Sequence, residues 1–463
     1  MKRSTIQEYL AGLKGKRVAV IGIGVSNTPL IKMLLRSGIK VTACDKKPMN
    51  SFAGLAEELE SLGAKLKLGE DYLEDLDFEV IFRTPGMRPD LPQLVAAQQK
   101  GAILTSEMEV FFQVCPCRTV AVTGSDGKTT TTTIIAEFLK AAGETVYVGG
   151  NIGKPLLPDV DGMEPGDIAV LELSSFQLMT MDQSPDIAVV TNLAPNHLDV
   201  HKSMEEYIDA KKNIFLHQDE KGLLVVNADN DITRSFAGEA QGRVALFSRA
   251  SQPARGAFLR DGVIWVRNEM HERPVLPVAD ILLPGTHNVE NYMAAITALD
   301  GIVPDSVVRT FAQKFAGGEH RIELGRTLNG AKYYNDSIAS SPSRTIAGFR
   351  SFHQKVILIA GGYDKHIPFD VLGPEVTAHV KELFLTGDTA HKIKAAVEAA
   401  PDYSPDALPI HVIDDFTEAV LAAHKAAGPG DVVILSPACA SFDKFKNFME
   451  RGAAFKKIIY ELA

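Results

Sequence analysis

The run Thr123-Gly124-Ser125-Asp126-Gly127-Lys128-Thr129-Thr130 gathers two glycines, a lysine and three threonine hydroxyls in one short stretch. Those residue types suit anionic oxygens. Gly124 and Gly127 permit positive φ and close backbone approach, and the successive N–H groups can point at phosphate oxygens. Lys128 neutralises their charge, and Thr129 or Thr130 can ligate magnesium. The spacing departs from the common G-x-x-x-x-G-K-[ST] form, since position 122 is valine and only two residues separate the glycines. The flanking pattern still predicts a phosphate cradle. An apolar run from Arg118 to Val122 reads as a buried strand and Thr131 to Leu139 as a helix, so strand, glycine turn and helix start follow in the order required.

Further along, Glu172 closes an apolar strand-like run that begins at Asp167. An acid there is costly to bury without a cation, and beside a phosphate loop it would hold or orient magnesium. The next apolar run, from Ile187, leads through Asn192 to Asn196, His197, Asp199 and His201, past a strand end where ligands of α/β sheets gather. Near the N-terminus, the run from Lys16 to Ile21 enters a turn containing Gly22, Gly24, Val25, Ser26 and Asn27, then a helix through Leu35. A second strand, Lys40 to Asp45, ends in an acid followed by Lys46. This predicts the opening βαβ of a doubly wound sheet, with phosphate at the helix N-terminus and the acid at a ribose or base. Asn27 stands where the dinucleotide fingerprint has its third glycine, so NAD and a nucleotide diphosphate both fit the turn. A third strand, from Glu79, ends in Thr84-Pro85-Gly86, a turn that would wall the same crevice.

Composition bounds what these elements can belong to. A chain of 463 residues holds two to four domains of ordinary size, with three as the central expectation. Hydrophobic content of 45% and charged content of 23% are ordinary for a soluble protein, and a net charge of −10 argues against nucleic acid as the main partner. No stretch approaches the roughly 18 apolar residues of a membrane span, so no membrane insertion is expected and the reading is cytosolic. The four cysteines, with Cys115 and Cys117 spaced too tightly for a zinc knuckle, predict reduced structural thiols. Neither repeats nor low-complexity tracts occur.

In order along the chain, Thr123 to Thr130, Gly150-Asn151-Ile152-Gly153, Glu172 to Phe176, Asn196 to Asp199, Tyr207 to Lys211 and His287 to Asn291 resemble the motifs of the Mur ligases. These are ATP-dependent enzymes that join amino acids to the UDP-linked precursor of bacterial peptidoglycan. The resemblance implies an α/β protein of three domains: a Rossmann-like UDP-substrate domain at 1–106, a central ATP-binding phosphate-loop domain at 107–317 with a mainly parallel sheet, and a Rossmann-like C-terminal domain at 318–463 for the amino acid. It also implies ATP and two magnesium ions, with Lys128, Glu172, His197 and Lys211 as catalytic residues and Thr129, Glu172, His197 and Lys211 near metal. Lys211 would be carbamylated by carbon dioxide, which turns a cation that repels magnesium into a donor of the hard oxygens magnesium prefers. Lys212 is the adjacent alternative.

ATP would further meet Gly124, Ser125, Asp126, Gly127 and Thr130, together with Asn288 and Asn291, which lie three apart on one predicted helix. Arg321 and Asp336 resemble the family's contacts to ATP phosphate and ribose. The UDP substrate would meet Gly24, Val25, Ser26, Asn27, Asp45, Lys46, Thr84, Pro85, Gly86, Asn151 and Ser174. The run from Ser436 to Gly452 is similar to the branch that adds D-glutamate to UDP-N-acetylmuramoyl-L-alanine, with Lys365, Ser441, Phe442 and Phe448 in its amino-acid pocket. A lysine and a hydroxyl suit a dicarboxylate. Many members of that branch carry a lysine where this chain has Ile338, which leaves one contact unassigned. A monomer is expected. Charged groups for the reaction are divided between the central and third segments, so domain closure is expected, with hinges near Ser106 and Gly317-Gly318. Other Mur ligases and folylpolyglutamate synthase are the alternatives within this chemistry. A nucleotide-dependent oxidoreductase would leave the phosphate loop idle, and a GTP switch protein would need an N-K-x-D motif that does not occur.

Overall fold

In the computed structural model, the described residues are 4–52, 54–195, 200–269, 271–315, 320–352, 354–365 and 367–462. Three sheets carry the chain. The first has five parallel strands in the order Lys65–Leu68, Val41–Asp45, Val18–Ile21, Val80–Phe82, Ile103–Thr105. The strand order reverses between Val18–Ile21 and Val80–Phe82, which opens a crevice beyond their C-terminal ends. Both strands are buried along their whole length, as parallel strands covered on two faces must be.

The second sheet has nine strands, and its centre positions the phosphate loop. Arg118–Thr123 lies between Ile187–Val190 on one side and Ile168–Glu172 on the other, all parallel. Val146–Gly150 closes one edge beyond Ile168–Glu172. Toward the other edge, Leu223–Asn227, Arg243–Ser248 and Gly256–Arg260 continue the sheet before an antiparallel ribbon, Val263–Arg267 and Glu272–Pro277. Residues of the first two sheets share one hydrophobic cluster, which runs from Val18 and Leu30 through Phe111 to Phe215. Both sheets fall in a single compact unit, residues 1–278 with 290–311.

The second compact unit comprises residues 279–289 and 312–463. Its six-stranded sheet runs in the order Glu323–Leu328, Ala331–Asn335, Val432–Leu435, Val356–Ala360, Val380–Leu385, Ile410–Val412, parallel except for the first strand. Alternate residues of its strands feed two cores. Leu358 and Ile434 pack with Phe349 and Leu372 on one face, and Ile357, Ile359 and Val433 pack with Phe455 and Ile459 on the other. The fold class is thus α/β with mainly parallel sheets. Cys44, Cys115, Cys117 and Cys439 are buried, and the sulfurs of Cys115 and Cys117 lie 3.3 Å apart. Among the described residues no helix is long and apolar enough to cross a membrane.

Candidate active site

The phosphate loop follows the strand Arg118–Thr123 and ends at Gly127, which occupies the left-handed region at the start of the helix Lys128–Ala141. Gly127, at the cap position, has no side chain to bond the first turn, and a helix N-terminus of this kind suits an anion. Gly124 is required by close approach, since a Cβ there would lie 1.9 Å from Oγ1 of Thr191. Neighbouring strand ends brace the loop. The Ser125 N–H donates to the Asn192 carbonyl at 2.8 Å and the Asp126 N–H to Oδ1 of Asn192 at 3.0 Å, while Oγ1 of Thr191 donates to the Asp126 carbonyl at 2.6 Å. Lys128 folds back along the loop, with Nζ donating to the carbonyls of Gly124 and Ser125 at 2.9 Å each. Thr129 is half-buried, whereas Thr130 is buried.

Glu172 comes from the strand on the other side, paired with Val122 at the loop's base. Its side chain is buried. Oε1 accepts from Nδ2 of Asn151 at 2.8 Å, and Oε2 has no hydrogen-bond partner among the described residues. A buried carboxylate oxygen left open in this way fits a cation. Lys211, on the helix Met204–Lys212, is 1% exposed and donates to Oγ1 of Thr123 and to the Gly124 carbonyl, each at 3.0 Å. Burial above all, then the nearby charge of Lys128, holds its amine well below the ordinary lysine range, against the pull of Glu172. A buried neutral amine is nucleophilic, and it is the form that can take up carbon dioxide. Lys212 instead pairs with Glu239 at 2.9 Å. Asn196, His197 and Asp199 lie outside the described residues.

On the helix Thr286–Ala298, Oδ1 of Asn291 accepts from Oγ1 of Thr131 at 3.1 Å and sits where a Cβ on Gly127 would come within 2.4 Å. Asn288 is buried and donates from Nδ2 to the Pro284 carbonyl at 2.5 Å.

In the first sheet, Gly22 and Thr84 meet across the crevice, since a Cβ on Gly22 would lie 3.0 Å from that of Thr84. Gly24, Val25 and Gly86 are exposed at its mouth, with Ser26, Thr84 and Pro85 half-buried; Ser26 makes no capping bond to the helix Asn27–Arg36. Three of the residues expected at the ligand also have partners within the protein. Asp45 accepts from the N–H groups of Ile23 at 2.7 Å and Lys47 at 2.9 Å, so it shapes the glycine turn. Asn27 is buried and donates to the Ile21 carbonyl. Lys46 pairs with Glu70 at 3.4 Å on the surface. Asn151 stands at Glu172, and Ser174 caps the short helix Ser175–Leu178 in a reciprocal box with Gln177. Ser106 likewise is a buried cap, of the helix Glu107–Val114, while Gly317 and Gly318 lie outside the described residues.

The second unit gathers its residues at the C-terminal ends of three adjacent strands, Ala331–Asn335, Val432–Leu435 and Val356–Ala360. The last two lie side by side, and Tyr363 and Ala440 bridge the loops beyond them. Lys365 and Phe442 are exposed, Phe448 is half-buried and Ser441 is buried. Asp336 is wholly buried. Its oxygens accept from Ser436 at 2.7 Å and the Ile322 N–H at 3.3 Å, and desolvation pushes its carboxyl up to about 7 in spite of the nearby Arg321. Ile338 is half-buried, its N–H on the His320 carbonyl. Nothing in the sequence singles out Arg451. It is 2% exposed and donates to the carbonyls of Ser337, Cys439 and Ala440 and to Oγ of Ser337, which fixes both loops of the amino-acid region. Thr191, Asn192 and Arg451 were hidden because their partners are remote in sequence; a polar pair directly after an apolar strand was the signal available for Thr191 and Asn192.

Two family models match the chain: the Mur ligase middle domain over residues 122–299 and the Mur ligase glutamate ligase domain over 320–439. The chain is 53% identical to a UDP-N-acetylmuramoylalanine–D-glutamate ligase of Acetivibrio thermocellus over 98% of both chains. It is 50% identical to the protein of that name from Clostridium beijerinckii, over 99% of this chain and all of the relative. Among solved structures it resembles a UDP-N-acetylmuramate-alanine ligase from Thermotoga maritima, at 17% identity, TM-score 0.57 and coverage of 96% and 99%. FolC of E. coli shares the fold at 15% identity and TM-score 0.55, over 76% of this chain and 91% of that one. The phosphate loop, the buried acid and lysine beside it and these relatives together establish that the chain belongs to the Mur ligase family, as an ATP-dependent ligase that forms an amide bond.

Proposed function

We propose that this enzyme adds D-glutamate to UDP-N-acetylmuramoyl-L-alanine with ATP, in the cytosol and as a monomer. The observation that carries its chemistry is the convergence of Lys128 and Lys211 on the Gly124 carbonyl, with Glu172 at the base of the same loop. The loop N–H groups and Lys128 stabilise charge on the γ-phosphoryl as the substrate carboxylate attacks it; ADP leaves, and the acyl phosphate passes to the amine of D-glutamate, giving amide and phosphate. Glu172, with Thr129 and His197, would hold magnesium, which would supply electrostatic stabilisation of the phosphate oxygens. Carbamylation of Lys211 would add oxygen ligands to that set. Its low basicity and burial favour the neutral amine that the modification needs.

The UDP moiety occupies the crevice beyond Gly22 and Thr84 in the division at 1–106, ATP the division at 107–317, and D-glutamate the strand ends at Lys365, Ser441, Phe442 and Phe448 in the division at 318–463. Phosphate release measured with UDP-N-acetylmuramoyl-L-alanine and ATP tests the reading, with D-glutamate, L-lysine or D-alanyl-D-alanine as acceptor. Release specific to D-glutamate is expected; an equal or greater rate with another acceptor refutes the assignment.

A further inference from the structure

Two arginines flank the turn Thr84 to Met87 that walls the first crevice, and both reach residues of the second sheet's region. Arg83, 1% exposed, donates to the carbonyls of Pro85 at 3.2 Å and Met87 at 3.0 Å, and across to Oγ1 of Thr180 at 2.6 Å and the Phe176 carbonyl at 3.3 Å. Arg88 makes a two-pronged contact with Glu206 at 2.7 and 3.1 Å, another with Asp90 at 2.8 and 3.0 Å, and donates to the Val200 carbonyl at 2.7 Å. Lys202 closes the cluster, its N–H on Glu206 and its amine on Asp90. The cluster is more than a surface ion pair. The Arg88 side chain is 19% exposed and that of Glu206 29%, and planar forks of this kind fix geometry as well as charge.

What Arg88 grips matters more than how tightly. Glu206 sits on the helix Met204–Lys212; the next residue, Tyr207, bonds its hydroxyl to Oγ of Ser125 at 3.0 Å, and Lys211 on the same helix holds Thr123 and Gly124. Hydrogen bonds from one short helix therefore reach both the substrate-side turn and the phosphate loop. We propose that Arg88 is a positioning residue: it sets where the sugar-nucleotide turn stands relative to the phosphate loop, and so where the substrate carboxylate meets the γ-phosphoryl. The inference rests on the function proposed above. Displacement of a reacting carboxylate by about 1 Å is worth up to about a hundredfold in rate, while binding of the remote UDP moiety is left intact.

The test uses the full-length enzyme. Arg88→Ala and Arg88→Lys are expected to lower kcat at least about tenfold, since lysine keeps the charge but not the fork. The KM for ATP and the dissociation constant of UDP alone, read by calorimetry, are expected to stay within about threefold of wild type. Glu206→Gln, which weakens the pair and keeps an acceptor for the Lys202 N–H, should fall between wild type and Arg88→Ala. Wild-type kcat in folded Arg88→Ala overturns the inference, as does a loss of UDP binding in proportion to kcat. If Arg88→Ala does not fold, Glu206→Gln decides, and an unchanged kcat there overturns the proposal. Wild type measured alongside separates the two readings: without D-glutamate-dependent phosphate release the functional assignment falls and this inference with it, whereas an active wild type with an equally active Arg88→Ala overturns this inference alone.

Discussion

Replacing Gly127 with alanine probes the phosphate loop by a single added carbon. Gly127 has φ +78, and left-handed backbone costs a residue with a Cβ about 1–2 kcal/mol. The new Cβ would also lie 2.4 Å from Oδ1 of Asn291, so that side chain must move and give up its bond from Thr131. The lost hydrogen bond adds about 1 kcal/mol. Together about 2–3 kcal/mol opposes the loop conformation that receives phosphate, and if ATP binding must restore that conformation, the KM for ATP rises about 30- to 150-fold. Phosphate release as a function of ATP concentration measures this, with the KM for the UDP substrate as the internal control. Asn291→Ala provides the second leg. In its background Gly127→Ala meets no clash and costs only the backbone part, so the two changes should show a coupling of about 1 kcal/mol. A Gly127→Ala enzyme with the wild-type KM for ATP, or strictly additive effects, would refute the geometry described for this turn.

Three further outcomes follow. Lys211→Ala should be nearly inactive, and short carboxylic acids added to the assay should restore part of the rate by supplying oxygen ligands; an unimpaired variant removes Lys211 from the site. Glu172→Gln preserves the bond from Asn151 but removes a charge, so the magnesium concentration giving half-maximal rate should rise at least about tenfold, and an unchanged requirement would contradict metal binding there. Burial pushes Asp336 from 3.8 up to about 7, so the folded chain keeps a proton that the unfolded chain releases between those values. Stability from this group therefore falls as pH rises through that window and is level above it. Asp336→Asn should gain on wild type in melting temperature over the same range; a difference independent of pH would show that the buried acid is not protonated.

The phosphate loop was legible because its chemistry is contiguous: a buried strand, glycines that need positive φ and a helix that starts directly after Gly127 all lie between Arg118 and Ala141. Glu172 was legible because an acid has no place in an apolar strand without a partner, and the sheet order puts it beside the loop. What was not legible depends on which distant strands become neighbours. Thr191 and Asn192 brace the loop only because Ile187–Val190 pairs with Arg118–Thr123. Asp45 is legible as an acid after a strand, whereas its bonds from the Ile23 and Lys47 N–H groups, which hold the glycine turn, are not. Lys211 could be named from its motif, but its burial, and hence its low basicity, depends on how the helix Met204–Lys212 packs against Thr123 and Gly124. Arg88 and Arg451 belong to the same class, since each acts on loops that only the tertiary fold brings together.

Isotope transfer tests the proposed reaction most directly. UDP-N-acetylmuramoyl-L-alanine carrying heavy oxygen in both positions of its terminal carboxylate is incubated with the enzyme, ATP, magnesium and D-glutamate, and the released phosphate is analysed by mass spectrometry. If the carboxylate is phosphorylated and then attacked by the amine, each phosphate carries one heavy oxygen and the nucleotide product gains one glutamyl residue. Unlabelled phosphate formed in step with product would contradict the acyl-phosphate route, and labelled phosphate formed equally well without D-glutamate would contradict the ligase assignment.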